Sequence, residues 1–130
     1  MSSEYHKQWY KKNKEKVNKK ALEWRKNNPE KFEEQSWRSH LNRTYGITPE
    51  KYNEMIYEQN GVCAICLNPE TFIEPKGNNN KLKRLCVDHC HKTGKIRRLL
   101  CNRCNKCVGQ LDDNPHLLRT MADYLEKYNG

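Results

Sequence analysis

No stretch of this sequence approaches the roughly 20 consecutive apolar residues that a helix needs to cross a bilayer. The opening residues, Met-Ser-Ser-Glu-Tyr, lack the apolar core of a secretory signal. Both absences lead us to expect a soluble intracellular protein of the cytoplasm. Apolar side chains are scarce, at 35% of 130 residues against 32% charged. That is little core for the length, so part of the chain should be extended, partner-bound or stapled. The length itself suggests one small domain with an extension rather than two full domains.

Acid is also in short supply. The chain has 25 Lys and Arg against 16 Asp and Glu, for a formal charge of +9. The imbalance is local: residues 1–45 carry 12 basic and 6 acidic side chains, and residues 76–106 carry 10 and 1. Residues 46–75 and 107–130 are net acidic. A field of this sign attracts a polyanion, although a solvated basic face has the same composition.

Cysteine, by contrast, is abundant. An odd number, seven, suits a closed disulfide framework poorly, and a reducing compartment disfavours disulfides. Cys63-x-x-Cys66 and Cys101-x-x-Cys104 form two knuckles separated by 34 residues. Each offers two thiolates, and two such pairs complete a tetrahedron around Zn²⁺. A redox pair is the weaker alternative, because the second knuckle has no thioredoxin-like context. A closed four-thiolate site leaves no open position, so this ion would pin the chain rather than do chemistry.

The chain divides by composition into a basic helical arm, residues 1–45, and a domain, residues 46–130. The arm has almost no apolar stripe. Trp9, Tyr10, Trp24, Phe32 and Trp37 are widely spaced along it, as anchors to the domain or to a second subunit would be, ahead of base stacking. Asn28-Pro29 should break one helix and start another. In the domain, Thr48-Pro49 should open a helix to about Gln59, with Tyr52, Met55 and Ile56, and Tyr57 as a further candidate, on its apolar face. Asn60-Gly61 should end it. Residues 67–81, with Pro69, Pro75, Gly77 and three consecutive asparagines, read as loop. Leu82–His89 and Lys95–Leu100 suit two short strands around a turn at Lys92-Thr93-Gly94. Helices should follow over about 102–110 and from Pro115 to about Tyr128, the last with Leu117, Leu118, Met121 and Leu125 at core spacing. The expected class is α+β, mostly helical.

Residues 86–94 read Cys-Val-Asp-His-Cys-His-Lys-Thr-Gly, in a chain with five histidines. Side chains alternate along a strand, so Asp88 and His89 share a site only where the strand ends. A following helix would bring Asn105, next to the knuckle residue Cys104, into register with them. A carboxylate and an amide oxygen suit one hard cation such as Mg²⁺ or Mn²⁺. A neutral imidazole beside them can take a proton from water. Cys86 and Cys90 with His89 and His91 could instead form a second zinc site, and Cys86 and Cys107 could simply be small buried residues. Lys92, Lys95, Arg97, Arg98 and Arg103 surround the cluster and are the candidate DNA-binding cations.

Together, Cys63-x-x-Cys66, Val87-Asp88-His89-Cys90-His91-Lys92-Thr93-Gly94-Lys95-Ile96-Arg97 and Leu99-Leu100-Cys101-Asn102-x-Cys104-Asn105 resemble the phage recombination endonuclease VII family. That family lies within the His-Me finger (HNH, ββα-metal) nucleases. The resemblance covers about residues 61–127. It implies a zinc-stabilised hairpin-plus-helix core that cuts DNA phosphodiesters with Mg²⁺ or Mn²⁺. It also implies that Asp88 and Asn105 hold the catalytic metal, His89 is the general base and His91 positions the phosphate. A phage origin, action in the host cytoplasm and a possible homodimer on duplex or branched DNA follow by the same resemblance. Two positions depart from it: Cys90 stands where the family usually has an acid, and Val108 where one branch-resolving member has a catalytic glutamate. The alternatives are a homing-type or nicking enzyme on duplex DNA, or a non-catalytic zinc module that binds nucleic acid.

Overall fold

The computed structural model describes residues 2–76 and 79–129. Gly77 and Asn78, part of the expected loop, lie outside the described residues. The chain forms two units, Met1–Gly46 and Ile47–Gly130.

In the first unit, helix α1 (Ser2–Asn27) is polar nearly all round, with Glu4 in its first turn and Arg25 and Lys26 in its last, as the helix dipole favours. Asn28 precedes proline and is driven off the helical conformation, at φ −134° and ψ 58°. Its backbone N–H and its side-chain amide both donate to the Trp24 carbonyl, at 2.8 and 2.9 Å. Pro29 then opens α2 (Pro29–Tyr45). Gly46 ends it at φ 70°, where a side chain would be strained, and donates its N–H to the Asn42 carbonyl at 2.9 Å. Trp9, Tyr10 and Trp24 are exposed. Arg25 lies 4.6 Å from the centre of the Phe32 ring.

The second unit opens with α3 (Pro49–Glu58), capped by Thr48, whose hydroxyl accepts from the Lys51 N–H at 3.2 Å. Tyr52 and Met55 are buried, but Tyr57 is 85% exposed and lies off the apolar face. Asn60 and Gly61, at φ 56° and 73°, turn the chain out of the helix.

The segment 67–81, expected as loop, instead contains a hairpin. β1 (Ile73–Lys76) pairs antiparallel with β2 (Asn79–Leu82). Its sequence hides it, because Pro75 sits inside a strand with no further neighbour among the described residues and so needs no ladder N–H on that side. The expected strand Leu82–His89 accordingly splits: Leu82 closes β2, and β3 spans only Cys86–His89.

β3 pairs antiparallel with β4 (Ile96–Leu100), in a separate two-stranded sheet. Val87 faces Leu99 and His89 faces Ile96, so two steps along β3 match three along β4. The extra residue lies on β4, at Arg97-Arg98, and bulges the pair beside Asp88. α4 (Asn102–Gln110) and α5 (Pro115–Asn129) follow, and α4 packs on both β3 and β4.

The core is small: Tyr52, Met55, Cys63, Leu85, Val87, Leu99, Leu100 and Cys101. Polar bonds lock it. The Tyr52 hydroxyl donates to the Leu85 carbonyl at 2.6 Å. The Gln59 side chain acts as a short extra strand, accepting from the Leu99 N–H and donating to the Leu99 carbonyl, both at 2.9 Å. Contrary to the expectation from its spacing, α5 contributes no buried residue, and Leu117, Leu118, Met121 and Leu125 are 37–54% exposed.

Candidate active site

The two knuckles meet although 34 residues separate them in sequence. The sulfurs of Cys63, Cys66, Cys101 and Cys104 all lie within 4.8 Å of one another. The Cys66 and Cys101 sulfurs are 3.8 Å apart. Thiolates bound tetrahedrally at about 2.3 Å from zinc sit about 3.8 Å apart, so the donor set fits the ion. The frame is built from backbone. The Ile65 N–H points at the Cys63 sulfur and the Cys104 N–H at the Cys101 sulfur, both at 3.4 Å. The Ala64 N–H bonds the Leu99 carbonyl at 3.0 Å, which ties the first knuckle to β4. Burial opposes ionisation of Cys63, yet N–H and thiol donors from Cys101, Cys66 and Ile65 bring it down to about 7. Burial and then the three neighbouring sulfurs push Cys104 up to about 12. Four thiolates this close need a cation among them.

β3 is covered on both of its faces. Val87 and Asp88 are consecutive and both buried, and Asp88 is only 8% exposed. Arg97, on the bulged strand, donates to both carboxylate oxygens, Nε to Oδ2 at 2.6 Å and Nη2 to Oδ1 at 2.9 Å. This partnership raises the Arg97 pKa above the usual guanidinium range. His89 and His91 face each other with ring centres 4.9 Å apart. Asn105 is half-buried on α4, one residue past the cage ligand Cys104.

One member of this cluster was not legible as a site residue. Asp113, in the turn between α4 and α5, contacts His91 Nδ1 through Oδ2 at 2.8 Å and Arg97 Nη2 through Oδ1 at 3.4 Å. The hydrogen bond and charge of Asp113 raise the His91 pKa, and the same bond lowers that of Asp113. The sequence signal was only the Asp-Asn-Pro of a helix start.

The expected cations divide. Arg97 lies within the site on Asp88, and Arg98 pairs with Glu58 of α3 at 3.2 Å. Lys92 and Lys95 are exposed around the β3–β4 turn and Arg103 on α4. Cys86 is half-buried, where burial raises its pKa; Cys107 is exposed rather than buried. Cys90 is brought down to about 7 by hydrogen bonds from Thr93. Among the described residues only Cys63, Cys66, Cys101 and Cys104 converge as a metal-binding group of Cys, His, Asp and Glu. The alternative second zinc site is therefore not formed by them.

These features define a cysteine-caged hairpin-and-helix protein with a carboxylate–imidazole cluster on the same strand pair. The chain belongs to the recombination endonuclease VII family of nucleases, whose family model matches residues 38–127. It is 43% identical over 93 residues to the gene 59 protein of Mycobacterium phage D29, which covers 71% of this chain and 51% of that protein. It is 40% identical over 91 residues to the gene 59 protein of Mycobacterium phage L5, covering 69% and 50%. The chain thus spans about half the length of the curated relatives it matches. No solved structure matches it. Among the described residues no helix is long and apolar enough to cross a membrane.

Proposed function

We propose that this chain is a metal-dependent DNA endonuclease of the HNH (His-Me finger) type that hydrolyses phosphodiester bonds in phage recombination or packaging. The observation that carries the reading is the run of contacts that links Asp88 through Arg97 and Asp113 to His91, whose ring lies 4.9 Å from that of His89. Family membership supports it. Asp88 and Asn105 would hold Mg²⁺ or Mn²⁺. The Asp88 carboxylate, now held on both oxygens by Arg97, would offer that cation a hard oxygen donor once the guanidinium moves aside. The bound cation would stabilise negative charge developing on the phosphate.

The other roles belong to the chain's own groups. His89 takes a proton from a water molecule as its oxygen attacks phosphorus in line. The bond from phosphorus to the 3′ oxygen breaks, leaving 5′-phosphate and 3′-hydroxyl ends. His91 contacts a non-bridging phosphate oxygen. Lys92, Lys95 and Arg103, with Arg97 and Arg98 once released from their carboxylates, hold flanking phosphates. The arm, residues 1–45, extends the basic footprint.

Resolution of branched DNA needs two such sites facing one junction, hence a homodimer. Val108, in place of a glutamate, favours duplex nicking as the second reading. The test is cleavage of a labelled four-way junction and a matched linear duplex with Mg²⁺, with EDTA, and with His89→Ala. Junction cutting that needs Mg²⁺ and His89 is the expected result. Equal cutting of both substrates would favour the nicking reading. Binding without cutting would leave a non-catalytic zinc module.

A further inference from the structure

We propose that Asp113 is a positioning residue that fixes the His91 imidazole for contact with the scissile phosphate. The proposal rests on the nuclease reading of this same site and extends it to a residue in the turn between α4 and α5.

Geometry carries the argument. Asp113 lies 22 residues from His91 in sequence, yet its Oδ2 is 2.8 Å from His91 Nδ1. An ionised carboxylate only accepts, so this bond places a proton on Nδ1 and leaves Nε2 as the ring nitrogen available to a ligand. The other carboxylate oxygen, Oδ1, is buried and has no hydrogen-bond partner. It rests instead against the Arg97 cation at 3.4 Å, beyond good hydrogen-bond geometry. The carboxylate is therefore clamped between an imidazole and a guanidinium. The charged and titratable groups around His91 are Asp113 from the turn, Arg97 from β4, Asp88 from β3, and the neighbouring His89 ring.

The backbone is bent to achieve this. Asp112 and Asp113 both have left-handed conformations, at φ 51° and 55°. Such residues are disfavoured except where the surroundings impose them, and Asp and Asn tolerate them best. The turn does not need the Asp113 side chain for its own sake. Asn114 caps α5, its Oδ1 accepting from the Leu117 N–H at 3.1 Å, and the backbone N–H of Asp113 bonds the Val108 carbonyl at 3.1 Å. The side chain is thus left for the cluster. A carboxylate at Nδ1 also favours the protonated ring, whose second N–H on Nε2 can donate a charge-assisted bond to a phosphate oxygen.

The test uses the full zinc-loaded chain with Asp113→Asn, which keeps shape and left-handed tolerance but removes the charge. Long-range proton–nitrogen NMR of His91 reads the contact without any cleavage. We expect Nδ1 to be protonated in the unmodified protein, and the ring's titration midpoint to fall on substitution. In single-turnover cleavage with Mg²⁺, Asp113→Asn should slow the reaction by about 10–100-fold. In a His91→Ala background the same change should cost less than about twofold, because Asp113 acts through His91. Wild-type cleavage by Asp113→Asn would overturn the proposal. So would an equal loss in the His91→Ala background, which would assign the effect to Arg97 or to the turn. No cutting by the unmodified protein would overturn the nuclease reading and with it the phosphate partner. An unchanged His91 midpoint would overturn the contact itself, so the two failures are distinct.

Discussion

Arg97 grips Asp88 with two donors, Nε on one carboxylate oxygen and Nη2 on the other, at 2.6 and 2.9 Å. The pair joins the bulged residue of β4 to the buried carboxylate of β3 across the mouth of the cluster. Replacing Arg97 by Ala leaves a buried charge with its principal partner gone. Because Arg97 is itself partly exposed, we expect a loss of about 1–3 kcal/mol, less than for a fully buried pair. Arg97→Lys should recover only part of it, since an ammonium cannot match both oxygens. Urea unfolding of the zinc-loaded protein measures this. Millimolar Mg²⁺ should stabilise Arg97→Ala more than the unmodified chain, and equal stabilisation of both would argue against Asp88 as a cation site.

Zinc removal should unfold the second unit. Structural zinc contributes roughly 10–16 kcal/mol of apparent binding energy in small zinc domains at neutral pH, more than this core can lose. A chelator or Cys63→Ser should abolish cooperative unfolding of residues 47–130. Metal analysis should return one zinc per chain. Because protons compete for the thiolates, release should begin as pH falls, and an acid-stable metal would count against the four-cysteine site.

The His91–Asp113 pair sets a pH window for stability. The folded pKa of His91 is raised above its ordinary 6.5, so its contribution is full below that value and lost as pH rises through the folded pKa. The folded pKa of Asp113 is lowered below 3.8, so its contribution is present above that value and lost as pH falls through the folded pKa. The difference in unfolding midpoint between the unmodified chain and Asp113→Asn should therefore be largest between these two ordinary values. It should be small, since His91 is exposed. A difference that grows steadily above neutral pH would contradict the pairing.

Gln59 offers a test of the frame alone. Its side chain satisfies the N–H of Leu99, a residue with 0% exposure, and also donates to the Leu99 carbonyl. Gln59→Ala should cost about 1–3 kcal/mol, because a buried donor is left unpaired. Hydrogen exchange at the Leu99 amide would show it directly, and unchanged protection there would refute the assignment.

Much of this architecture could be read from residues whose roles are local. Thr48 caps, Gly46 and Gly61 turn, and each Cys-x-x-Cys is a complete half-site within four residues. What escaped the sequence depends on distant partners or on a change of register. Nothing in Ile-Arg-Arg-Leu-Leu shows that β4 carries an extra residue opposite β3, and nothing in Cys-Val-Asp-His shows that both faces of β3 are covered. Asp113 reads as part of a helix start until the turn delivers it to His91. The β1–β2 hairpin was hidden by proline and asparagine, because an exposed two-stranded ribbon needs no apolar alternation. The apolar spacing of α5 was legible, but periodicity reports a face and not what covers it.

The chain from Glu70 to Lys83 leaves and returns at one residue. Glu70 Oε2 accepts from the backbone N–H of Asn102 at 2.7 Å, and Lys83 Nζ donates to the Asn102 side chain at 3.0 Å. The β1–β2 ribbon is therefore held at a fixed root. Doubling the length of such a closed segment costs only about 0.6 kcal/mol of chain entropy. This makes the ribbon a natural place to graft a reporter peptide or a new recognition element while the cage and the histidine cluster stay where they are.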